Sequence, residues 1–258
     1  MSTNTCVLIH GNPETAAVWE LLDDSLTARG TEVVRLSPPG FGAPLPTRFM
    51  PDASGYADWL VERLTDLRAA RPDGRAIDIV GHDWGAGHVY RLAATRPGIV
   101  RSWAADIGGL LHPDFVWHDA ATAWQTPGVG EEIIDAMVSM TIAERAELYL
   151  GLGLTGDIAD DMAAAMDADM GRAVLELYRS SPEPVLRSLA DDLASADHGP
   201  GLIITASDDA YVAADLAGPV AERLGVEELV LAGQGHWWMV SDPDTAADGL
   251  VAFWSSLD

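Results

Sequence analysis

The stretch IDIVGHDWGAGHVY, residues 77–90, constrains this chain more than any other. An apolar run of strand character breaks at Gly81-His82-Asp83-Trp84-Gly85 and passes at once into helix-like sequence. A turn this abrupt holds its central side chain, Asp83, in an exposed and strained position, and only small flanking residues avoid a clash. Gly81, Gly85 and Gly87 meet that need. A buried strand feeding straight into a helix implies a crossover to a parallel neighbour, and hence an α/β architecture. The competing reading, a glycine-bracketed turn whose aspartate only caps the helix, weakens as further parts of a catalytic site come into view.

The rest of the chain repeats the alternation. Strands are expected over residues 5–11, 31–37, 76–82, 100–107, 201–207 and 227–233. Helices are expected near 15–29, 55–70, 85–96, 213–224 and 243–256, the second stopping before Pro72 and Gly74. This predicts an open, mostly parallel sheet of about six strands flanked by helices. Between about 112 and 197 the alternation fails, and the sequence turns Ala-, Asp- and Met-rich without a convincing strand. We read 1–111 and 198–258 as two parts of one core domain and 112–197 as a helical lid inserted over the strand ends, where ligands of such sheets bind.

Composition narrows the classes of function. Of 258 residues, 48% are hydrophobic, which suits a globular protein. The formal charge of −25 comes from 40 acidic against 15 basic residues, all of them arginine. Nucleic acid is therefore not an expected partner, and an anionic substrate would need a locally placed arginine or backbone N–H groups against the overall field. Without an apolar run of membrane-spanning length, no membrane association is expected. MSTNTCVLIHG lacks a basic leader segment, so the expected location is cytoplasmic, as monomer or homodimer. The single cysteine, Cys6, reads as a small core residue.

Other strand ends supply further chemistry. His10-Gly11-Asn12-Pro13 follows the first strand, where the N–H of Asn12 would join that of Trp84 in an oxyanion hole. His236, in GQGHWWM between the last strand and the last helix, suits a general base. Two strand ends offer the acid that would orient it: Asp106 in WAADIGG, and Asp208-Asp209 in ASDDAYV. Either could reach the histidine, and the other would be a turn aspartate. A His112, His118, Asp119 set fits no metal spacing well, so no metal and no cofactor are expected.

With HGNPETAAVW, RLSPPGFG, GHDWGAG, the helical lid, ASDDAYV and GQGHWWM, nearly the whole chain resembles the aspartate-nucleophile branch of the α/β-hydrolase superfamily. That branch holds the haloalkane and haloacetate dehalogenases and the epoxide hydrolases. GHDWG is the specific motif; the HG and GH pieces are common to the superfamily. Relatives usually carry two strands ahead of the HG strand. This chain begins too late for them, so EVVRLS is expected at an exposed sheet edge.

The resemblance implies a hydrolase in which Asp83 displaces a leaving group from sp³ carbon, forming an alkyl ester that His236-activated water then hydrolyses. For a small haloalkane or haloacid, the first reading, it implies Asn12 and Trp84 as halide donors and Asp106 as the acid. For an epoxide, the alternative, it implies Asp209 as the acid and Tyr178, in LELYRSSPEP, as proton donor to the ring oxygen. LELYRSSPEP resembles the second of two lid tyrosine stretches; WQTPGVGEE resembles an epoxide-hydrolase lid stretch too, but the first tyrosine, expected just upstream of it, is absent, and Trp117, His118 and Tyr149 are the substitutes, none a residue-for-residue match. Ester or lactone hydrolysis and non-catalytic ligand binding rank below both. His118, Trp124, Tyr149 and Trp237, with Met137, Met140 and Phe115, are the expected walls of a pocket for a small, apolar substrate.

Overall fold

A computed structural model describes residues 5–71 and 76–257. Six parallel strands run β1 (Thr5–Ile9), β2 (Glu32–Leu36), β3 (Ile77–Gly81), β4 (Ser102–Ala105), β5 (Gly201–Ala206) and β6 (Glu227–Leu231). Their order across the sheet is β2-β1-β3-β4-β5-β6. Reversal of strand order at β1 and β3 opens a crevice at their C-terminal ends, the place where open α/β sheets bind ligands. Parallel register sets Ile9 beside Gly81 and Gly81 beside Ala105, which brings the HG turn, the Asp83 turn and the Asp106 turn together.

β1 and β3 are buried along their whole length because helices cover both faces. Their alternate side chains serve opposite layers. Cys6 and Leu8 pack with Trp19, Leu22 and Trp238 on one face. Val7 and Ile9 pack with Leu60, Val89 and Tyr90 on the other. Each fully buried aliphatic side chain contributes about 1.5–3 kcal/mol. The edge strand β2 is only half-buried, as its position requires. It carries charge, Arg35 meeting Asp23 at 3.1 Å and Glu32 meeting Arg71 at 2.5 Å, which discourages pairing with another chain.

Core helices α1 (Glu20–Ala28), α2 (Ala53–Ala69) and α3 (Trp84–Thr95) follow the first three strands. Between β4 and β5 lie six consecutive helices: α4 (Asp119–Gln125), α5 (Val129–Ser139), α6 (Ile142–Gly151), α7 (Gly156–Ala165), α8 (Ala168–Arg179) and α9 (Glu183–Ser195). They are the inserted lid. α10 (Ala217–Leu224), a single turn α11 (Trp238–Ser241) and α12 (Pro243–Ser256) complete the chain. The expected helix starts at 15 and 213 resolve into short 3-10 turns, Ala16–Trp19 and Ala214–Leu216, ahead of α1 and α10. Pro72 and Gly74 lie outside the described residues. Among the described residues, no helix is long and apolar enough to cross a membrane.

An aromatic cluster joins lid to core: Trp84 stacks on Trp117 with ring centres 5.8 Å apart and meets Tyr178 edge-on at 5.0 Å. Phe115, one of the lid residues expected to shape the pocket, belongs to this cluster, packed on Trp117, and is not among the residues lining the cavity beside Asp83.

Candidate active site

Asp83 has φ 50° and ψ −124°, a conformation rarely adopted by a residue with a side chain. Its neighbours make the turn possible. A Cβ on Gly81 would stand 2.6 Å from the Gly85 carbonyl oxygen, and one on Gly85 would stand 2.1 Å from that of Ile9. One on Gly11 would meet Asp83 Oδ1 itself at 2.1 Å. The glycines thus let two strand ends close around one carboxylate. The Asn12 N–H donates to Asp83 Oδ1 over 2.9 Å. The Trp84 N–H opens the first turn of α3, where no intrahelical acceptor exists.

On the other side, His236 Nε2 faces Asp83 Oδ2 at 3.9 Å. His236 Nδ1 is bonded to Asp209 Oδ2 at 2.9 Å. The other oxygen, Asp209 Oδ1, accepts the N–H groups of Tyr211 at 2.7 Å and Val212 at 3.3 Å, which fixes the carboxylate from behind. Asp208 is exposed and engages Ser207.

Asp106 is therefore not the partner of His236, contrary to one of the two expectations. Its Oδ2 accepts from His82 Nδ1 at 2.5 Å and Trp238 Nε1 at 2.8 Å, and its Oδ1 accepts the Asp83 N–H at 2.9 Å. Both of its oxygens are thus engaged away from His236. Beside it sits a group that sequence reasoning missed, the fully buried Glu14. Glu14 Oε1 meets His82 Nε2 at 3.0 Å and accepts Trp237 Nε1 at 2.6 Å, while Oε2 accepts the Gly11 N–H at 2.9 Å. HGNPE contained one signal, a carboxylate three residues after Gly11, which is capping spacing.

Electrostatics divide these groups. Burial pushes Asp83 up to about 6, opposed by the positive influence of His236. Burial and nearby His82 act to lower His236, yet the Asp209 hydrogen bond and the charges of Asp209 and Asp83 raise it above its ordinary value. Burial opposes ionisation of Asp209, but the His236 bond holds it below the usual range. Around His82 the burial penalty is overcome by Asp106 and Glu14, so its pKa is raised well above 6.5. Glu14 is held down at about 2 by the same imidazolium despite burial. Glu14, His82 and His236 lie close enough for three metal-ligand atoms. Both His82 nitrogens are already hydrogen-bonded to carboxylates, however, and a protonated imidazole is no ligand.

A cavity of about 200 Å³ opens onto Asp83 and His236. The expected Asn12, His118, Trp124, Tyr149, Tyr178 and Trp237 all line it, as do Met137 and Met140. Tyr211 and Arg145 line it as well and were not anticipated. Trp84 lies to one side, lining a smaller void that also reaches Asp83. Asn12 Nδ2 approaches the Tyr178 hydroxyl at 3.5 Å, a long contact, and burial pushes that phenol far above its ordinary value. Trp117 Nε1 is committed to the Ser181 carbonyl at 3.0 Å, whereas His118 Nδ1 accepts the Ala121 N–H at 3.3 Å to cap α4, which leaves the ring proton on Nε2.

A carboxylate at a strand-to-helix turn, a histidine after the last strand and an acid behind it define a hydrolase. The chain belongs to the alpha/beta hydrolase family, whose model matches residues 6–248. No curated protein matches it. Among solved structures, a haloalkane dehalogenase from Bradyrhizobium elkani is 21% identical with a TM-score of 0.72, covering 98% of this chain and 92% of that one. E-2-(acetamidomethylene)succinate hydrolase is 20% identical with a TM-score of 0.72 and the same coverage, 98% and 92%. A bromoperoxidase from Bacillus anthracis is 19% identical at 0.74, again covering 98% and 92%. Likeness at these identities is one of fold.

Proposed function

We propose that this protein is a hydrolytic dehalogenase that works through an alkyl ester on Asp83. The observation that carries the proposal is the state of the Asp83 carboxylate. Oδ1 is held by the Asn12 N–H, whereas Oδ2 has no hydrogen bond among the described residues and borders a mainly apolar cavity. A desolvated, positioned carboxylate is a competent nucleophile toward sp³ carbon. An Asp83 oxygen forms the new C–O bond as the carbon–halogen bond breaks, and halide departs with the electron pair. Asn12 Nδ2, weakly engaged at 3.5 Å, and the Trp84 indole are the donors at that end of the site.

Forming the ester removes the negative charge of Asp83, one of the causes that raises His236. The histidine then becomes easier to deprotonate just when a base is needed. His236 Nε2 takes a proton from water, and hydroxide adds to the Asp83 carboxyl carbon. The oxyanion meets the N–H groups of Asn12 and Trp84. Collapse releases the alcohol with the proton from His236 and restores Asp83, consuming one water and yielding halide and a proton.

Epoxide opening is the second reading, favoured by Asp209 as the acid and by Tyr178, whose buried phenol keeps its proton and lines the cavity. A single turnover in ¹⁸O-water tests the shared route: label enters the Asp83 carboxylate if the ester forms, and its absence there rejects both readings. Halide release from chlorinated and brominated substrates, set against diol formation from epoxides, then separates them.

A further inference from the structure

Arg145, on α6, is the buried arginine of the lid, 7% exposed. The other lid arginines are conventional. Arg172 meets Asp169 and Glu176, Arg179 forms a two-pronged pair with Glu131, and Arg187 is exposed. Arg145 has no carboxylate partner among the described residues, in a chain with 40 acidic groups. Its Nε donates to the Ala163 carbonyl at 2.8 Å, and its Nη1 reaches those of Met140 at 2.6 Å, Met137 at 3.1 Å and Val138 at 3.2 Å. These oxygens end α5 and α7, so helix dipoles hold the guanidinium in place without supplying a counter-charge. Nη2 has no hydrogen-bond partner among the described residues. The residue lines the same cavity as Asp83 and His236. Tyr149, also in that wall and near enough for Arg145 to influence its phenol, has a buried hydroxyl with no partner among the described residues.

A neutral substrate has no use for a fixed cation in a wall that Met137, Met140, Leu148 and Leu152 otherwise make apolar. An anionic substrate does, because it enters a cavity already holding the Asp83 carboxylate, in a protein of net charge −25. We propose that Arg145 Nη2, assisted by the Tyr149 hydroxyl, binds a substrate carboxylate, so that the enzyme selects short halogenated carboxylic acids over neutral haloalkanes of equal length. This rests on the Asp83 ester route for its chemistry but not for its binding.

Inert ligands separate the two. Butyrate and butyramide, titrated against the intact protein by tryptophan fluorescence from Trp124 and Trp237, report the anion site without any leaving group. Butyrate should bind about 10- to 100-fold tighter, the worth of a charge-assisted hydrogen bond. Arg145→Met should erase that preference and Arg145→Lys should keep part of it. Equal binding of the two ligands, or a preference that survives Arg145→Met, overturns the proposal. In turnover, Arg145→Met should cut kcat/KM for 4-chlorobutyrate about 10- to 100-fold more than it cuts that for 1-chlorobutane, the ratio cancelling any loosening of the lid. An equal fall for both substrates would make Arg145 only a brace between lid helices and overturns the proposal as well. Arg145-dependent butyrate binding with no halide released from any substrate supports the anion site and rejects the dehalogenase reading instead.

Discussion

Two histidine–aspartate pairs stand side by side in this molecule, their imidazoles 4.6 Å apart. In one, Asp209 holds Nδ1 of His236 and leaves Nε2 facing Asp83. In the other, Asp106 holds Nδ1 of His82, but Glu14 closes off Nε2. The first pair can exchange a proton; the second is a charge locked between two carboxylates. What separates a base from a strut is whether the second ring nitrogen is spoken for. The strut still serves the site, because Asp106 and Glu14 also fix the backbone of Asp83 and Gly11.

Removing the proposed base should break this contrast most sharply. His236→Gln should slow turnover by about 10⁴-fold, the upper range for a general base, while the first half-reaction continues. Intact-mass measurement should find one alkyl group retained per chain; an unmodified, inactive protein would contradict the assignment. Asp209→Asn should cost up to about 10⁴-fold by leaving His236 unoriented. Asp106→Asn should retain far more turnover and lose melting temperature instead, and normal turnover in the Asp209 variant would exchange the roles of the two acids.

Stability should follow the strut. Glu14, folded pKa about 2 against an ordinary 4.5, contributes stability that is fully present above pH 4.5 and lost as pH falls toward 2. That contribution is about 3 kcal/mol, and Glu14→Gln should flatten the acid limb of a denaturation series. His82 has the opposite sign: its raised pKa stabilises fully below 6.5, and the benefit fades as pH rises through the folded value. The smallest effect is a shift in the pH profile. Turnover should rise with pH as His236 loses its proton, and Asp209→Asn, by removing an anion that favours the imidazolium, should move the surviving limb to lower pH.

Much of this was legible in the chain itself, for physical reasons. Period and punctuation announced the strands, and GHDWG announced the carboxylate turn, because only glycines fit there. The choice between Asp106 and Asp209 was not legible, since both close a strand and only the sheet's third dimension decides which histidine each meets. Glu14 was hidden because its partner His82 lies 68 residues away. Arg145, in TIAERAELYL, looks like a solvent-facing helix residue; its acceptors are main-chain oxygens of other helices, which carry no sequence signature.

The crowding around Gly11, Gly81 and Gly85 has an evolutionary consequence. A single methyl group at any of them would collide with backbone or with Asp83, so the Asp83 end of the cavity is closed to gradual change. Leu148 and Leu152, about half exposed, and the partly buried Met137 and Met140 are under no such restriction. Descendants of this chain can therefore explore new substrates by drifting through the lid wall, one side chain at a time, while inheriting the chemistry unaltered.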